Sequence, residues 1–142
     1  MRDILILIMI VISILLTSLF FVGTNVSALG VNIFTNDIKS YSSGINFKIP
    51  LITNVIYVNL LKRNDSVEIN TLESNVKIQN EYMLIWHVSN PKIYYEKFIP
   101  RKQQLLFEYI SLYQDQKNIH EFFKNNGIVV DKVFLVNRNI VN

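Results

Sequence analysis

The stretch Val76–Val88, VKIQNEYMLIWHV, is the longest strand candidate in the chain. Its first half alternates, because Val76 and Ile78 are apolar whereas Lys77 and Gln79 are polar. A period of two places the apolar side chains on one face of a strand and the polar side chains on the other. The stretch therefore predicts a half-buried strand in an antiparallel sheet.

Downstream of this strand the sequence changes to a helical pattern. Ser89-Asn90-Pro91 is a typical helix start, with a capping residue before a proline at the first helical position. Pro100 is expected to end a first short helix, and Gly127 to cap the end of the helical region. The predicted elements are a short helix from residue 91, a longer helix over 101–118, a helical turn over 119–126 and a final strand over 128–138.

Upstream of Val76, β-branched and aromatic stretches alternate with turn-forming residues. This pattern predicts short strands joined by turns. The expected strands are 29–34, 54–61 and 67–71, with an extended segment at 45–50 and turns at 36–44, 62–66 and 71–75. Strands followed by helices and one more strand predict an α+β fold, in which helices pack on an antiparallel sheet.

An apolar run at the N-terminus, Ile4–Val22 (ILILIMIVISILLTSLFFV), contains no charged residue. As a helix rising about 1.5 Å per residue it would span about 28 Å, close to the hydrocarbon thickness of a bilayer. The run predicts one transmembrane helix, with a cytoplasmic N-terminus because Arg2 precedes it. A signal peptide cleaved after Ala28 is one alternative, and a buried soluble helix is another. The predicted organisation is an anchor at 1–22, a linker at 23–28 and one domain at 29–142, which is strand-rich to residue 98 and continues with helices and the final strand.

The composition excludes several classes of site. The 142-residue chain has no cysteine, which rules out disulfides, thiolate metal sites and a cysteine nucleophile. Its formal net charge of +3 comes from basic residues that are scattered along the sequence. Such scatter is typical of a solvated surface, so we expect no nucleic-acid binding.

Few residues suggest catalysis or metal binding. His87 and His120 are the only histidines, and Glu121, beside His120, would point elsewhere on a helix. Neither histidine therefore has a second ligand at metal-binding spacing. Ser43, His87 and Asp131 could form a hydrolase triad, but no serine lies in a nucleophile elbow. The sequence predicts a protein that is not an enzyme, with no catalytic, cofactor-binding or metal-ligating residues.

The aromatic residues around the end of the long strand have two interpretations. Trp86, in an apolar strand, fits a core position better than a ligand platform. Tyr94 and Tyr95 likewise fit helix packing better than a stacking surface for a ligand. We therefore expect all three residues to be structural.

Four segments, in this order, resemble the stomatin/prohibitin/flotillin superfamily, also called the SPFH or band 7 family. Gly44–Leu51 (GINFKIPL) resembles the family segment GLHFKIPF, and Val55–Leu61 resembles the strand that follows it. Trp86–Tyr95 (WHVSNPKIYY) is similar to the strand-to-helix passage W-R-I-S-D-P-x-x-Y-Y, and Gly127–Val133 (GIVVDKV) to a later strand, G-I-E-V-V-D-V. An apolar segment directly before the domain resembles the arrangement in the HflC group of the superfamily.

The resemblance implies a non-catalytic scaffold or regulatory subunit, without a cofactor, in the bacterial inner membrane. It implies a single-pass protein with most of the chain in the periplasm and in contact with membrane lipid. The expected assembly is a hetero-oligomer with an HflK-like protein, which modulates an FtsH-like membrane protease. HflC-like proteins carry a long helical arm after the domain, and this chain is expected to be a shortened form that lacks it.

Three alternatives remain open at this point. A lipid-binding organiser of membrane microdomains fits the same superfamily, and a degraded remnant of an HflC-like protein fits the short length. From the residues alone, a membrane-tethered hydrolase could use Ser43, His87 and Asp131. The family loop over Phe47–Leu51 would either dip towards a bilayer or fill the core, and we expect it to fill the core.

Overall fold

The computed structural model describes residues 2–114 and 124–141. The chain forms two compact units, Met1–Asn59 (unit 1) and Leu60–Asn142 (unit 2). Unit 1 runs in the order α1 (Arg2–Ser18), β1 (Leu19–Val22), β2 (Val26–Asn32), β3 (Ile38–Tyr41), β4 (Gly44–Phe47) and β5 (Thr53–Asn59). The described part of unit 2 runs in the order β6 (Arg63–Glu73), β7 (Val76–Val88), α2 (Pro91–Ile93), a π-helical turn (Tyr94–Phe98), a 3-10 turn (Ile99–Arg101), α3 (Lys102–Gln114) and β8 (Ile128–Val141).

The N-terminal apolar run does not form one long helix. Helix α1 has 17 residues and ends at Ser18, and β1 then pairs antiparallel with β4. Among residues 2–114 and 124–141, no helix is both long enough and apolar enough to cross a bilayer. The predicted transmembrane helix is therefore wrong, and so is the single-pass inner-membrane location with a periplasmic bulk that rested on it.

Two local features account for the end of α1 at Ser18. The Ser18 hydroxyl donates a hydrogen bond of 2.7 Å to the Ile14 carbonyl, and the Thr17 hydroxyl donates one of 3.0 Å to the Ser13 carbonyl. Hydroxyl bonds of this kind compete with the helical backbone pattern. The following Leu19–Val22 segment is aromatic and β-branched, and such residues fit a pleated strand better than a helix.

The predicted fold class is also wrong. Strands account for 48% of the structure and helices for 32%, so the protein is mainly β. In place of one sheet packed by helices, the described residues form three small antiparallel sheets, β1-β4, β3-β2-β5 and β6-β7-β8. The difference arises because two segments expected to be turns contain strands. The predicted turn at 36–44 contains β3, and most of the turn at 62–66 belongs to β6.

In unit 1, β2 is the central strand of its sheet, with β3 on one side and β5 on the other. Its middle residues, Ala28 and Leu29, are fully buried, and Val22 and Val58 join them in the core of this unit. Residue 30 must be small, because a Cβ on Gly30 would lie 2.5 Å from the Tyr41 ring. The glycine therefore lets the Tyr41 ring lie against the strand.

In unit 2, β7 is the central strand, and its bounds are those predicted from the sequence. Strands β6 and β7 form a hairpin in which Glu73 pairs with Val76. The two residues between them, Ser74 and Asn75, both have positive φ, as a type I′ turn requires. On the other side, β8 pairs with β7 and carries two irregularities in its register.

The helical region of unit 2 begins as predicted. The Asn90 side chain accepts a hydrogen bond from the Ile93 amide at 3.2 Å, and Pro91 occupies the first turn. Pro100, however, does not end the helical path, because a π-helical turn and a 3-10 turn connect directly to α3. Proline fits the first turn of the 3-10 segment because its missing N–H is not needed there. The predicted helical residues at 115–123 lie outside the described part of the chain.

Candidate functional site

Trp86 is the centre of an aromatic cluster in unit 2. Its side chain is fully buried, and its ring centroid lies 5.2 Å from that of Phe98 and 6.0 Å from that of Tyr94. The indole N–H donates a hydrogen bond of 2.7 Å to the Asp65 carboxylate on β6. The expectation that Trp86 and Tyr94 are core residues is confirmed.

Two cations complete this cluster. The Arg63 guanidinium lies 5.4 Å from the Trp86 ring centroid and donates a 2.9 Å hydrogen bond to the Tyr94 hydroxyl. The Lys102 ammonium, at the start of α3, contacts the Asp65 carboxylate at 2.6 Å and lies 5.6 Å from the Trp86 ring. Cations over an aromatic face are attracted by its quadrupole. The network therefore joins β6, β7 and α3. The cations beside the Trp86 ring are Arg63 and Lys102 of the same chain.

A second polar cluster lies where β8 departs from regular pairing with β7. Ile85 pairs with Lys132 and Trp86 with Val130, so Asp131 is the extra residue of a bulge. The His87 Nδ1 lies 3.0 Å from the Asp131 carboxylate, and the Lys62 ammonium lies 3.3 Å from the same oxygen. β-Bulges often redirect a side chain, and this one places the Asp131 carboxylate beside His87 and Lys62. The cluster can hold the His87 ring in one orientation, as a carboxylate does in a general-base pair.

The pKa of Asp131 is lowered from its ordinary value, first by the hydrogen bond with His87 and then by Lys62. A carboxyl whose folded-state pKa is lowered stabilises the fold above its unfolded pKa, and this contribution is lost as the pH falls through the folded pKa. We expect Asp131→Asn to lower the free energy of unfolding at pH 7 by up to about 1 kcal/mol, because the groups are partly exposed. Urea titrations at pH 7 and at about pH 2 measure the difference from the wild type, which should vanish at the lower pH. An equal difference at both pH values would contradict this explanation.

Of the three residues of the conceivable triad, the structure brings two together. His87 and Asp131 form the pair in unit 2, whereas Ser43 belongs to unit 1, between β3 and β4. His120 and Glu121 lie outside the described residues. Within 2–114 and 124–141, no group of three or more His, Cys, Asp and Glu side chains could hold a metal ion.

Unit 1 carries large apolar side chains on its surface. The apolar side chains of α1 from Ile4 to Leu16 are exposed on every side of the helix, and we call one row of them the α1 stripe. Its members and their exposed fractions are Leu5 (62%), Met9 (70%), Ile12 (49%) and Leu16 (66%). They recur at intervals of three and four residues, and so lie on one side of the helix. A continuous exposed apolar row of this kind is typical of a surface that another molecule covers.

The loop after β4 is also exposed and apolar. Phe47 is 64% exposed, Ile49 61% and Leu51 94%, so the expectation that this loop fills the core is wrong. Leu51 has a φ of +63°, which is rare for a residue other than glycine, asparagine or aspartate. The sequence pattern of alternating apolar residues is the same for a core-facing strand and for this loop, and so did not reveal the exposure.

Comparison with models of known protein families and with curated proteins found no match to this chain.

Proposed function

We propose that this protein is a non-catalytic interaction subunit resembling the HflC group of the SPFH superfamily. In this proposal it pairs with an HflK-like protein in a hetero-oligomer and modulates an FtsH-like protease. The α1 stripe carries the proposal, because it is an exposed apolar row on a helix that is apolar on every side. A helix of this composition is normally buried against other elements.

The placement of two family-like segments supports the resemblance. The segments Trp86–Tyr95 and Gly127–Val133 are far apart in sequence but adjacent in unit 2. The Gly127 carbonyl accepts hydrogen bonds from the amides of Ser89 at 2.9 Å and Asn90 at 3.0 Å. A shared ancestry would preserve both partners of such a contact, and this agrees with the similarity of both segments to the same domain.

The chemistry of the α1 stripe favours a protein helix as its occupant. Its side chains are leucine, isoleucine and methionine, which carry no hydrogen-bonding requirement, and an exposed apolar row on a helix can pack against the apolar face of a second helix. Buried apolar surface contributes about 25 cal/mol per Å². Covering four such side chains therefore offers several kcal/mol towards binding, at about 1.5–3 kcal/mol for each when fully buried.

Charged substitutions in the α1 stripe test this proposal. The double variant Leu5→Asp/Met9→Asp should weaken binding of the HflK-like protein of the same genome by at least about a hundredfold, since each buried anchor contributes about 2 kcal/mol. Binding is measured with the tagged full chain and the purified partner.

Leu72→Asp is the matched control, because Leu72 is 67% exposed and lies on β6 in unit 2. We expect it to bind like the wild type. Circular dichroism confirms that each variant keeps its fold. Unchanged binding by the double variant, or no binding by the wild type, would refute the proposal.

A further inference from the structure

Two cavities of unit 1 meet at the same two residues. The first, which we call the polar cavity, has a volume of about 330 Å³ and is lined in part by Lys39, Tyr41 and Lys48. The second, the apolar cleft, has a volume of about 550 Å³ and is lined in part by Ile14 and Leu51. Lys48 and Ile49 line both. The polar cavity and the apolar cleft are therefore adjacent, and together they offer a cationic end and an apolar end.

The polar cavity carries an excess of positive charge. Lys39 and Lys48 line it together with one acid, Asp37. The Asp37 carboxylate is engaged within its own loop, where it accepts a 2.6 Å hydrogen bond from the Thr35 hydroxyl. In the described part of unit 1, neither lysine forms an ion pair with a carboxylate. One net positive charge therefore faces this cavity.

The apolar cleft lies between α1 and the loop after β4. Ile14 comes from the helix, and Ile49, Pro50 and Leu51 come from the loop. The loop backbone is fixed by a 2.8 Å hydrogen bond from the Lys48 amide to the Ser18 carbonyl. Leu51 adopts its left-handed conformation here, at a free-energy cost that functional sites often carry. The cleft is thus formed by backbone that hydrogen bonding holds in place, and it lies on a different side of α1 from the α1 stripe.

We propose that this site binds an amphipathic monoanion, a hydrocarbon chain with a single anionic head. The head lies in the polar cavity at Lys48 and Lys39, and the chain lies in the apolar cleft against Ile14 and Leu51. The charge of the cavity matches one anion, and each volume falls in the range of small-molecule sites, about 300–1,000 Å³. The site goes beyond the proposed partner surface and does not depend on it. A free fatty acid and an acidic lipid headgroup in a bilayer share this chemistry.

Equilibrium dialysis of the full chain against labelled dodecanoate tests the site. We expect saturable binding of one dodecanoate per chain. Dodecanol lacks the anion and so loses the charge-assisted contact, whereas butanoate lacks the long chain and so loses most of the apolar contact. Each should bind at least roughly tenfold more weakly than dodecanoate. Vesicles of phosphatidylglycerol, compared with phosphatidylcholine, test the bilayer as the source of the anion.

Two variants distinguish this site from non-specific binding. Lys48→Met should weaken binding of dodecanoate, or of the phosphatidylglycerol vesicles if those are the preferred source, by roughly tenfold. Ser13 lines the cleft, so Ser13→Trp should block it and weaken the same binding without touching the lysines. Lys92→Met, on an exposed residue of unit 2, is the control and should bind like the wild type. The proposal is overturned if Lys48→Met and Ser13→Trp bind both probes as well as the wild type, or if dodecanol binds as tightly as dodecanoate.

Discussion

Gly127→Ala should destabilise the protein by about 2–5 kcal/mol. Gly127 has a φ of +75°, and a left-handed conformation costs an alanine about 1–2 kcal/mol. A Cβ at this position would also lie 2.4 Å from the Tyr94 amide nitrogen and 2.5 Å from the Asn90 carbonyl oxygen. Both are backbone atoms, so relief requires a shift of the helix start, and overpacking of this kind costs about 1–3 kcal/mol. Urea unfolding followed by the fluorescence of Trp86, the only tryptophan, measures the effect.

Two other glycines separate backbone strain from steric overlap. Gly44 has a φ of +112°, but a Cβ added there would meet nothing within 4 Å, so Gly44→Ala should show strain alone, about 1–3 kcal/mol. Gly23 has neither feature, and Gly23→Ala should be neutral or up to about 1 kcal/mol more stable. The free energy of unfolding of all three variants is measured by urea titration followed by circular dichroism. A Gly127→Ala protein as stable as the wild type would show that the helix start yields without cost.

Asp65→Ala should destabilise unit 2 by about 1–4 kcal/mol. The substitution leaves the N–H of the buried Trp86 indole without its 2.7 Å acceptor, which costs about 1–3 kcal/mol. It also removes the 2.6 Å contact to the Lys102 ammonium, a partly exposed pair that contributes about 0–1 kcal/mol. The free energy of unfolding is again measured in urea.

A double-mutant cycle identifies the part of this effect that comes from the indole N–H. Trp86→Phe removes the donor, so adding Asp65→Ala to it should cost about 1–2 kcal/mol less than adding Asp65→Ala to the wild type. Both substitutions act on the same hydrogen bond, and the difference between the two costs therefore measures their coupling. Equal costs in the two backgrounds would mean that the bond does not stabilise the unit.

The sequence was informative wherever local patterns decide the structure. The alternation at Val76–Val88 predicted β7 with its observed bounds, and Asn90-Pro91 predicted the helix cap that the structure contains. Gly127 was expected to cap the end of the helical region, and its φ of +75° is the left-handed conformation typical of a capping glycine. These features depend on a few neighbouring residues, which is why they can be inferred from one sequence.

Features that depend on tertiary contacts were missed. An apolar run is compatible with a helix or a buried strand, so the run Ile4–Val22 did not reveal that its last four residues pair with β4. The bulge that brings Asp131 to His87 depends on the register of β8 against β7, which no local pattern encodes. The exposure of Leu51 likewise follows from the path of the loop rather than from residue type.

A photo-crosslinking residue placed at Met9 of the full chain tests the proposed partner surface most directly. Met9 lies in the α1 stripe and is 70% exposed, so a partner that covers the stripe must approach it closely. We expect a light-dependent covalent adduct with the HflK-like protein or the FtsH-like protease, identified by mass spectrometry, and none from the same residue at Leu72. If Met9 gives no adduct with either protein, or the Leu72 position gives the same adducts, the interaction-subunit proposal is contradicted.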